Sequence, residues 1–249
     1  MKPRVHIKTF AGCEGCQDRL AHSDWLVPLL GALDLVECRL LTSPVDQTIL
    51  PGDIVIFEGS PTLAEHISLL KEIREISGVI IIAMGTCAAT GGVPAGMPKS
   101  SAEEANAGLH GEYIKSLEVR PGAPLSHYIK VDAFIRACPI NPDEFVGTVV
   151  KLLVGGKPID HKHAVCAECE RVGCLLNEGE FCAGALSVSG CQAVCPSVNR
   201  GCLACRGFVS NTETEKFLAV LESKGFERED VLKKLSIYNA YALGEAKNV

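Results

Sequence analysis

The chain has 249 residues, 47% of them hydrophobic, enough to bury a sizeable core and to divide into more than one part. A formal net charge of −6 with no basic run is a poor match to nucleic acid, whose phosphates need clustered Lys and Arg. The longest apolar run, Val79-Ile-Ile-Ile-Ala-Met-Gly85, falls far short of a bilayer span, and the opening Met-Lys-Pro-Arg-Val-His-Ile-Lys has no apolar signal core, so a soluble, cytoplasmic chain is expected.

Strand-like and helix-like segments alternate through the N-terminal half. Val5–Phe10 predicts a short strand running into Ala11-Gly12 and Cys13. From Cys16 to Leu30 the apolar residues Leu20, Trp25, Leu26, Leu29 and Leu30 recur at near-helical spacing, with Pro28 predicting a break near the end. Leu33–Leu41 is the next strand candidate, and Asp53-Ile-Val-Ile-Phe-Glu-Gly59 carries the continuous apolar run of a parallel strand buried on both faces. Ser60 and Pro61 then fit the cap and first position of a helix through Leu63, Ile67, Leu70 and Ile73. Gly78–Gly85 and Tyr128–Ile135 complete the strands, and Asn141-Pro142-Asp143-Glu144 opens a helix through Phe145, Val149 and Leu152. This order predicts an α/β fold, a doubly wound parallel sheet whose ligands lie beyond the carboxyl ends of the strands. Two further amphipathic helices are expected after Thr212 and after Glu227, and are assigned to subunit contacts.

The thirteen cysteines are the most informative residues. Cys13, Cys87 and Cys138 each follow a strand candidate closely, and Cys16 lies one loop further, so four thiols converge at one edge of the sheet. Eight more form a dense late block: Cys166, Cys169, Cys174, Cys182, Cys191, Cys195, Cys202 and Cys205. Together they supply the ligands of three four-cysteine iron–sulfur clusters. Cys38, inside a strand candidate, is left over as a plain buried thiol. A disulfide scaffold would need an oxidising compartment. Zinc, and with it a non-redox binding module, is the stronger rival because C-x2-C pairs build zinc ribbons. The late block has almost no His within it, however, and its Cys195-Pro196 is similar to the ending of bacterial ferredoxin motifs. The first loop lacks the G-x-G-x-x-G of a nucleotide site, while Gly12, Gly15, Gly85, Gly91 and Gly92 suit loops that approach a cluster closely. The residues leave open how the eight late cysteines divide, either as the first four and the last four or with a ferredoxin-like exchange.

The ordered motifs F10-A-G-C13-E-G-C16-Q, F57-E-G-S60, G85-T-C87-A-A-T-G-G92 and Cys138-Pro139 resemble the small subunit of nickel–iron hydrogenases. The late block, from V165-C-A-E-C169 to G201-C-L-A-C-R-G207, is similar to the delta subunit of cytoplasmic sulfhydrogenases and bifunctional NADP-linked hydrogenases, and in outline to coenzyme F420-linked small subunits. The chain departs from membrane-bound uptake hydrogenases, which carry an export signal and a His cluster ligand. It departs also from the respiratory complex I subunit, whose cysteines are adjacent and hold one cluster. The resemblance implies a flavodoxin-like domain over 1–158 holding a proximal [4Fe–4S] cluster on Cys13, Cys16, Cys87 and Cys138. It implies a small ferredoxin-like iron–sulfur domain over 159–208 holding two more [4Fe–4S] clusters; beyond the resemblance, the amphipathic helices make 209–249 a helical docking segment. It also implies an oxidoreductase subunit without its own catalytic centre, relaying electrons between the nickel–iron centre of a large subunit and a flavin-bearing partner. An iron–sulfur relay outside hydrogenases is the alternative. The final acceptor, whether NADP, F420, a ferredoxin or a disulfide reductase, is not encoded. Glu58 stands where the family has a carboxylate facing the proximal cluster and the large subunit. With Glu14 and Gly15 it is expected at a surface that the large subunit covers.

Overall fold

The computed structural model describes residues 2–43, 47–96, 119–210 and 212–244; residues 97–118 of the expected first domain, and Asn211 and 245–249 of the expected C-terminal segment, lie outside the described residues. Five strands form one sheet: β1 (Arg4–Thr9), β2 (Asp34–Cys38), β3 (Ile54–Glu58), β4 (Ile80–Met84) and β5 (Ala133–Ile135). All pairings are parallel and the order is β2-β1-β3-β4-β5. This is the flavodoxin-like doubly wound order, whose switch point falls between β1 and β3.

Alternation along the strands explains why both faces of the sheet are covered. Ile54, Ile56, Ile82 and Met84 join Val5, Ile7, Phe145 and Val149 in one core, while Val55, Phe57, Ile81 and Ala83 join Leu70, Ile73 and Leu125 in the other. A central strand with both faces buried must be apolar throughout, and Ile54–Glu58 is buried at every position.

Two local expectations are corrected. The segment after Cys16 forms two helices, α1 (Gly15–Ala21) and α2 (Leu26–Ala32), and the chain turns at 22–25, before Pro28. Pro28 sits in the first turn of α2, where a missing N–H costs no intrahelical bond. The helix after β3, α3, spans Ala64–Glu75 with Leu63 at its cap, so Ser60 and Pro61 do not start it. Ser60 instead pairs with Ala11 across the β1–β3 edge, and its hydroxyl donates to the Ala123 carbonyl at 2.8 Å. The Asn141 cap is present: its side chain accepts from the Asp143 N–H at 2.8 Å, with Pro142 in the first turn of the Pro142–Leu153 helix.

The described part of 159–208 holds only short helical turns and isolated bridges. Backbone bonds stitch it together: Val165 N–H to Ser187 O (2.9 Å), Ala183 N–H to Cys202 O (2.8 Å) and Val188 N–H to Gly207 O (3.0 Å). The Thr214–Ser223 and Arg228–Leu243 helices close over this segment, with Leu218, Leu221, Val231 and Leu235 packing on Phe181, Ala183, Leu186 and Ala204. Their apolar faces therefore serve the chain's own core. Among the described residues no helix is long and apolar enough to cross a membrane.

Candidate iron–sulfur sites

The first candidate site sits at the sheet's switch point. β1 ends at Thr9, Phe10 donates to the Glu58 carbonyl at 2.8 Å, and the chain turns through Cys13 into α1. Cys87 lies on the short helix α4 (Gly85–Thr90) that follows β4, and Cys138 on the loop after β5. The sheet thus brings Cys13, Cys16, Cys87 and Cys138 to one edge, with Cys16 buried, Cys87 half-buried, and Cys13 and Cys138 exposed. Two glycines make the approach feasible. A Cβ on Gly85 (φ +82°) would stand 2.6 Å from the Cys16 sulfur, and one on Gly92 (φ +53°) 2.8 Å from that of Cys87.

Electrostatics tie these four thiols together. Burial pushes the Cys87 thiol up to about 11, with the Cys138 and Cys13 thiols adding to the rise. Burial and then Glu58 push Cys16 up, and burial and then Cys13 push Cys138 up. Left alone, such thiols stay protonated; the positive charge of iron is what makes converging thiolates tolerable. Backbone donors already point at the sulfurs, the Ile140 N–H at Cys16 and the Val93 N–H at Cys87, as tuned cluster ligands require.

Glu58 is placed differently from expectation. It is 3% exposed, because its carboxylate accepts from the Cys16 N–H at 2.9 Å, the Gln17 N–H at 3.3 Å and the Gln17 side-chain amide at 2.8 Å. It caps α1 from inside the chain, and so fixes the Cys16 turn. Glu14 is half-buried in a left-handed conformation at the start of α1 and lies 3.4 Å from Arg39. Cys38 is buried and donates to the Gln17 amide oxygen at 3.3 Å.

The late cysteines fall into two neighbourhoods. Cys166, Cys169, Cys174 and Cys182 line one cavity of about 260 Å³. A Cβ on Gly184 would stand 3.3 Å from the Cys166 sulfur and 3.5 Å from that of Cys182. Cys205 is pushed up chiefly by burial, with Cys191 and Cys195 also raising it. Cys202 is pushed up to about 12 by burial, with Cys182 and Cys205 contributing. Cys202 lies between the two groups: its N–H donates to the Cys182 sulfur at 3.4 Å, and its own sulfur accepts from the Ala204 N–H at 3.4 Å. Among the described residues no three His, Cys, Asp or Glu side chains are gathered to hold a single metal ion. In a four-iron cluster each thiolate takes its own iron. The all-thiol donor set and the backbone N–H groups aimed at sulfur suit iron–sulfur clusters.

The first site and the Cys191–Cys205 neighbourhood touch. The Cys138 N–H points at the Cys205 sulfur, Thr86 donates its hydroxyl to the Cys205 carbonyl, and the Thr86 N–H donates to Ala137 O at 3.0 Å. Four residues that matter here carry no signal in the sequence that singles them out. Thr86 and Arg206 sit inside cysteine motifs and are overshadowed by them. Tyr238 and Asn239 come from the last helix, where nothing local marks them. The Asn239 amide donates to the Ala204 carbonyl at 3.0 Å, and the Tyr238 hydroxyl faces the Cys138 thiol.

Comparison with known proteins agrees with this geometry. Residues 13–152 match the family model described as NADH ubiquinone oxidoreductase, 20 Kd subunit. The chain is 27% identical to the Sulfhydrogenase 2 subunit delta of Pyrococcus furiosus, covering 94% of this chain and 98% of that one. It is 28% identical to a subunit of the vhu F420-non-reducing hydrogenase of Methanocaldococcus jannaschii, covering 98% and 96%. Its fold resembles a chain of the NAD+-reducing [NiFe]-hydrogenase in the H2-reduced state, at 24% identity and a TM-score of 0.54, over 64% of this chain and 96% of that one. The chain therefore belongs to the NADH ubiquinone oxidoreductase, 20 Kd subunit family, and is similar along nearly its whole length to subunits of hydrogenases.

Proposed function

We propose that this chain is the electron relay of a cytoplasmic nickel–iron hydrogenase and holds three [4Fe–4S] clusters. Cys13, Cys16, Cys87 and Cys138 hold the proximal one. Cys166, Cys169, Cys174 and Cys182 hold a second, and Cys191, Cys195, Cys202 and Cys205 a third. A bound cluster supplies one-electron storage and release. The protein's part is to ligate, to aim N–H groups at sulfur and to hold the three thiol groups in series.

The observation that carries this reading is the tie that Thr86 makes between the two cysteine loops, its hydroxyl donating to the Cys205 carbonyl and its N–H to the Ala137 carbonyl, with the Cys138 N–H directed at the Cys205 sulfur. The shared cavity of Cys166, Cys169, Cys174 and Cys182 supports the local division of the late cysteines. The exposed Cys13 edge suits coverage by a large subunit holding the nickel–iron centre, and the exposed Cys166 and Cys174 suit electron exit to a flavin-bearing partner. The proposed division is a flavodoxin-like domain over 1–158, a cluster domain over 159–208 and a helical segment over 209–249.

Anaerobic purification of the complex tests the reading. It expects about twelve iron atoms in this chain, as three four-iron clusters require, and paramagnetic signals that develop under dihydrogen. A colourless, zinc-bearing chain, or one whose clusters dihydrogen leaves oxidised, would overturn it.

A further inference from the structure

One large charged side chain is buried at the junction of two candidate centres without being a ligand. Arg206 is 1% exposed, next to Cys205 in sequence. Its Nε donates to the Ser189 carbonyl at 2.7 Å and its Nη1 to the Arg136 carbonyl at 2.6 Å. Nη1 and Nη2 hold the two oxygens of Glu144 at 2.7 and 2.9 Å. Ser189 stands two residues before Cys191, and Arg136 two before Cys138. One guanidinium therefore clamps the approaches to Cys138, Cys191 and Cys205 and anchors all three to the Pro142–Leu153 helix. Gly190 leaves room for it, since a Cβ there would stand 2.6 Å from Nη2.

Stability alone is a weak reason for this arrangement, because well-packed apolar residues often replace buried ion pairs without loss. The orientation is more informative. Glu144 and Arg206 both line a cavity of about 270 Å³ with Arg136, Asp160 and His161, and His161 lies 3.8 Å from the Glu144 carboxylate. The Nε edge of the guanidinium turns to the Ser189 carbonyl before Cys191, and the Cys191 and Cys205 thiols lie close enough to act on its charge.

We propose that Arg206 is a positioning residue for electron transfer: it fixes the Cys138 loop against the Cys191 and Cys205 loops and presents positive charge to the centre those two cysteines serve. The proposal rests on the cluster reading above. A thiolate-ligated cluster becomes more negative when it takes an electron, so a fixed positive charge nearby favours the reduced form and raises its potential. The carboxylate of Glu144, on the far side of the guanidinium, works in the opposite sense.

Redox-titrated electron paramagnetic resonance on the intact complex, with iron counted per chain, tests this. Arg206→Met should lower the midpoint potential of one cluster and alter its magnetic interaction with the neighbouring reduced cluster. Glu144→Gln keeps the guanidinium and should shift the same potential upward. Arg206→Lys keeps the charge but loses the fork, so the potential should stay nearer to wild type while the interaction signal changes. Potentials that move the same way in R206M and E144Q, or unchanged potentials and interaction in an iron-replete R206M, overturn the proposal. If R206M does not retain its iron, E144Q and R206K decide, and absence of an upward shift in E144Q is the contrary result. Wild-type complex without iron–sulfur signals would instead overturn the underlying cluster reading, before any variant is made.

Discussion

The backbone N–H of Cys138 points at the sulfur of Cys205, although the two residues come from the sheet edge and from the far end of the cysteine-rich segment. The relationship depends on three elements meeting at one place. The β5 loop offers Cys138, α4 offers Thr86 to the Cys205 carbonyl, and the last helix holds the 202–205 turn through Asn239. A backbone N–H from one cysteine loop directed at a sulfur of the next holds the two candidate centres side by side.

Gly85→Ala tests the fit of the first centre. The added methyl would collide with the Cys16 sulfur at a backbone angle that side chains rarely adopt. The expected outcome is loss of one cluster, a fall from about twelve to about eight iron atoms, with the circular dichroism of the sheet retained. An iron-replete G85A chain would show that Cys16 is not held where the cluster needs it.

Glu58 makes a different demand. Removing its carboxylate in Glu58→Ala leaves the buried Cys16 and Gln17 N–H groups without an acceptor, a cost of about 1–3 kcal/mol. Glu58→Gln keeps an acceptor and should lose less. The thermal midpoint should fall in the order wild type, E58Q, E58A, and the rate of cluster loss under chelator should rise in the same order. Equal midpoints would remove the capping role.

Much of this was legible in the sequence. The apolar runs at Ile54–Glu58 and Ile80–Met84 announced parallel strands buried on both faces, and placed Cys13, Cys87 and Cys138 at strand ends. The helix starts were less legible. Ser60-Pro61 carries a start signal, but its Ser is taken by a contact with Ala123, distant in sequence, which no local pattern reveals. Glu58 illustrates the same limit, since a carboxylate at a strand end suits a cap, a surface acid or a cluster-facing group equally until α1 is seen folding back over it. The bridge between the centres was illegible because Arg206, Glu144 and Tyr238 are brought together only by tertiary packing.

Division of the late cysteines can be read from single variants. Cys174→Ser should abolish the cluster of the Cys166, Cys169, Cys174 and Cys182 cavity. The magnetic interaction between the other two should persist, because they meet through Cys138 and Cys205. Cys191→Ser should have the complementary effect, removing the centre between the remaining two. If C174S erases the interaction and C191S spares it, the division is the ferredoxin-like exchange.

Acid should loosen the sheet through Asp53. Burial raises its pKa, but the Leu50 N–H, His6 and Arg4 more than offset this and hold the carboxyl below its usual value. His6 is fully buried and bonds Asp53 at 2.9 Å, with Leu50 N–H also at 2.9 Å. A carboxyl whose pKa is lower folded than unfolded contributes stability above its unfolded value, about 3.9, and that contribution is lost as pH falls through the folded value. Asp53→Asn should be less stable at neutral pH by about 1–3 kcal/mol, and the gap to wild type should close on acidification. Thermal midpoints by circular dichroism across the acidic range decide it; a gap that widens toward low pH would contradict the sign.

Tyr238 offers the sharpest separation of the two centres. Its hydroxyl faces the Cys138 thiol, and burial followed by the Cys138 and Cys205 thiols pushes its own pKa up. A hydrogen bond to a ligand sulfur stabilises the more negative, reduced state. Tyr238→Phe keeps the ring packing and removes only that donor, so iron content and thermal midpoint should stay near wild type. The potential of the Cys13–Cys138 cluster should fall, whereas Arg206→Met should move the neighbouring one. Redox titration of both variants under identical conditions compares them directly. If Y238F and R206M shift the same signal, Tyr238 does not act on Cys138 separately from the next centre.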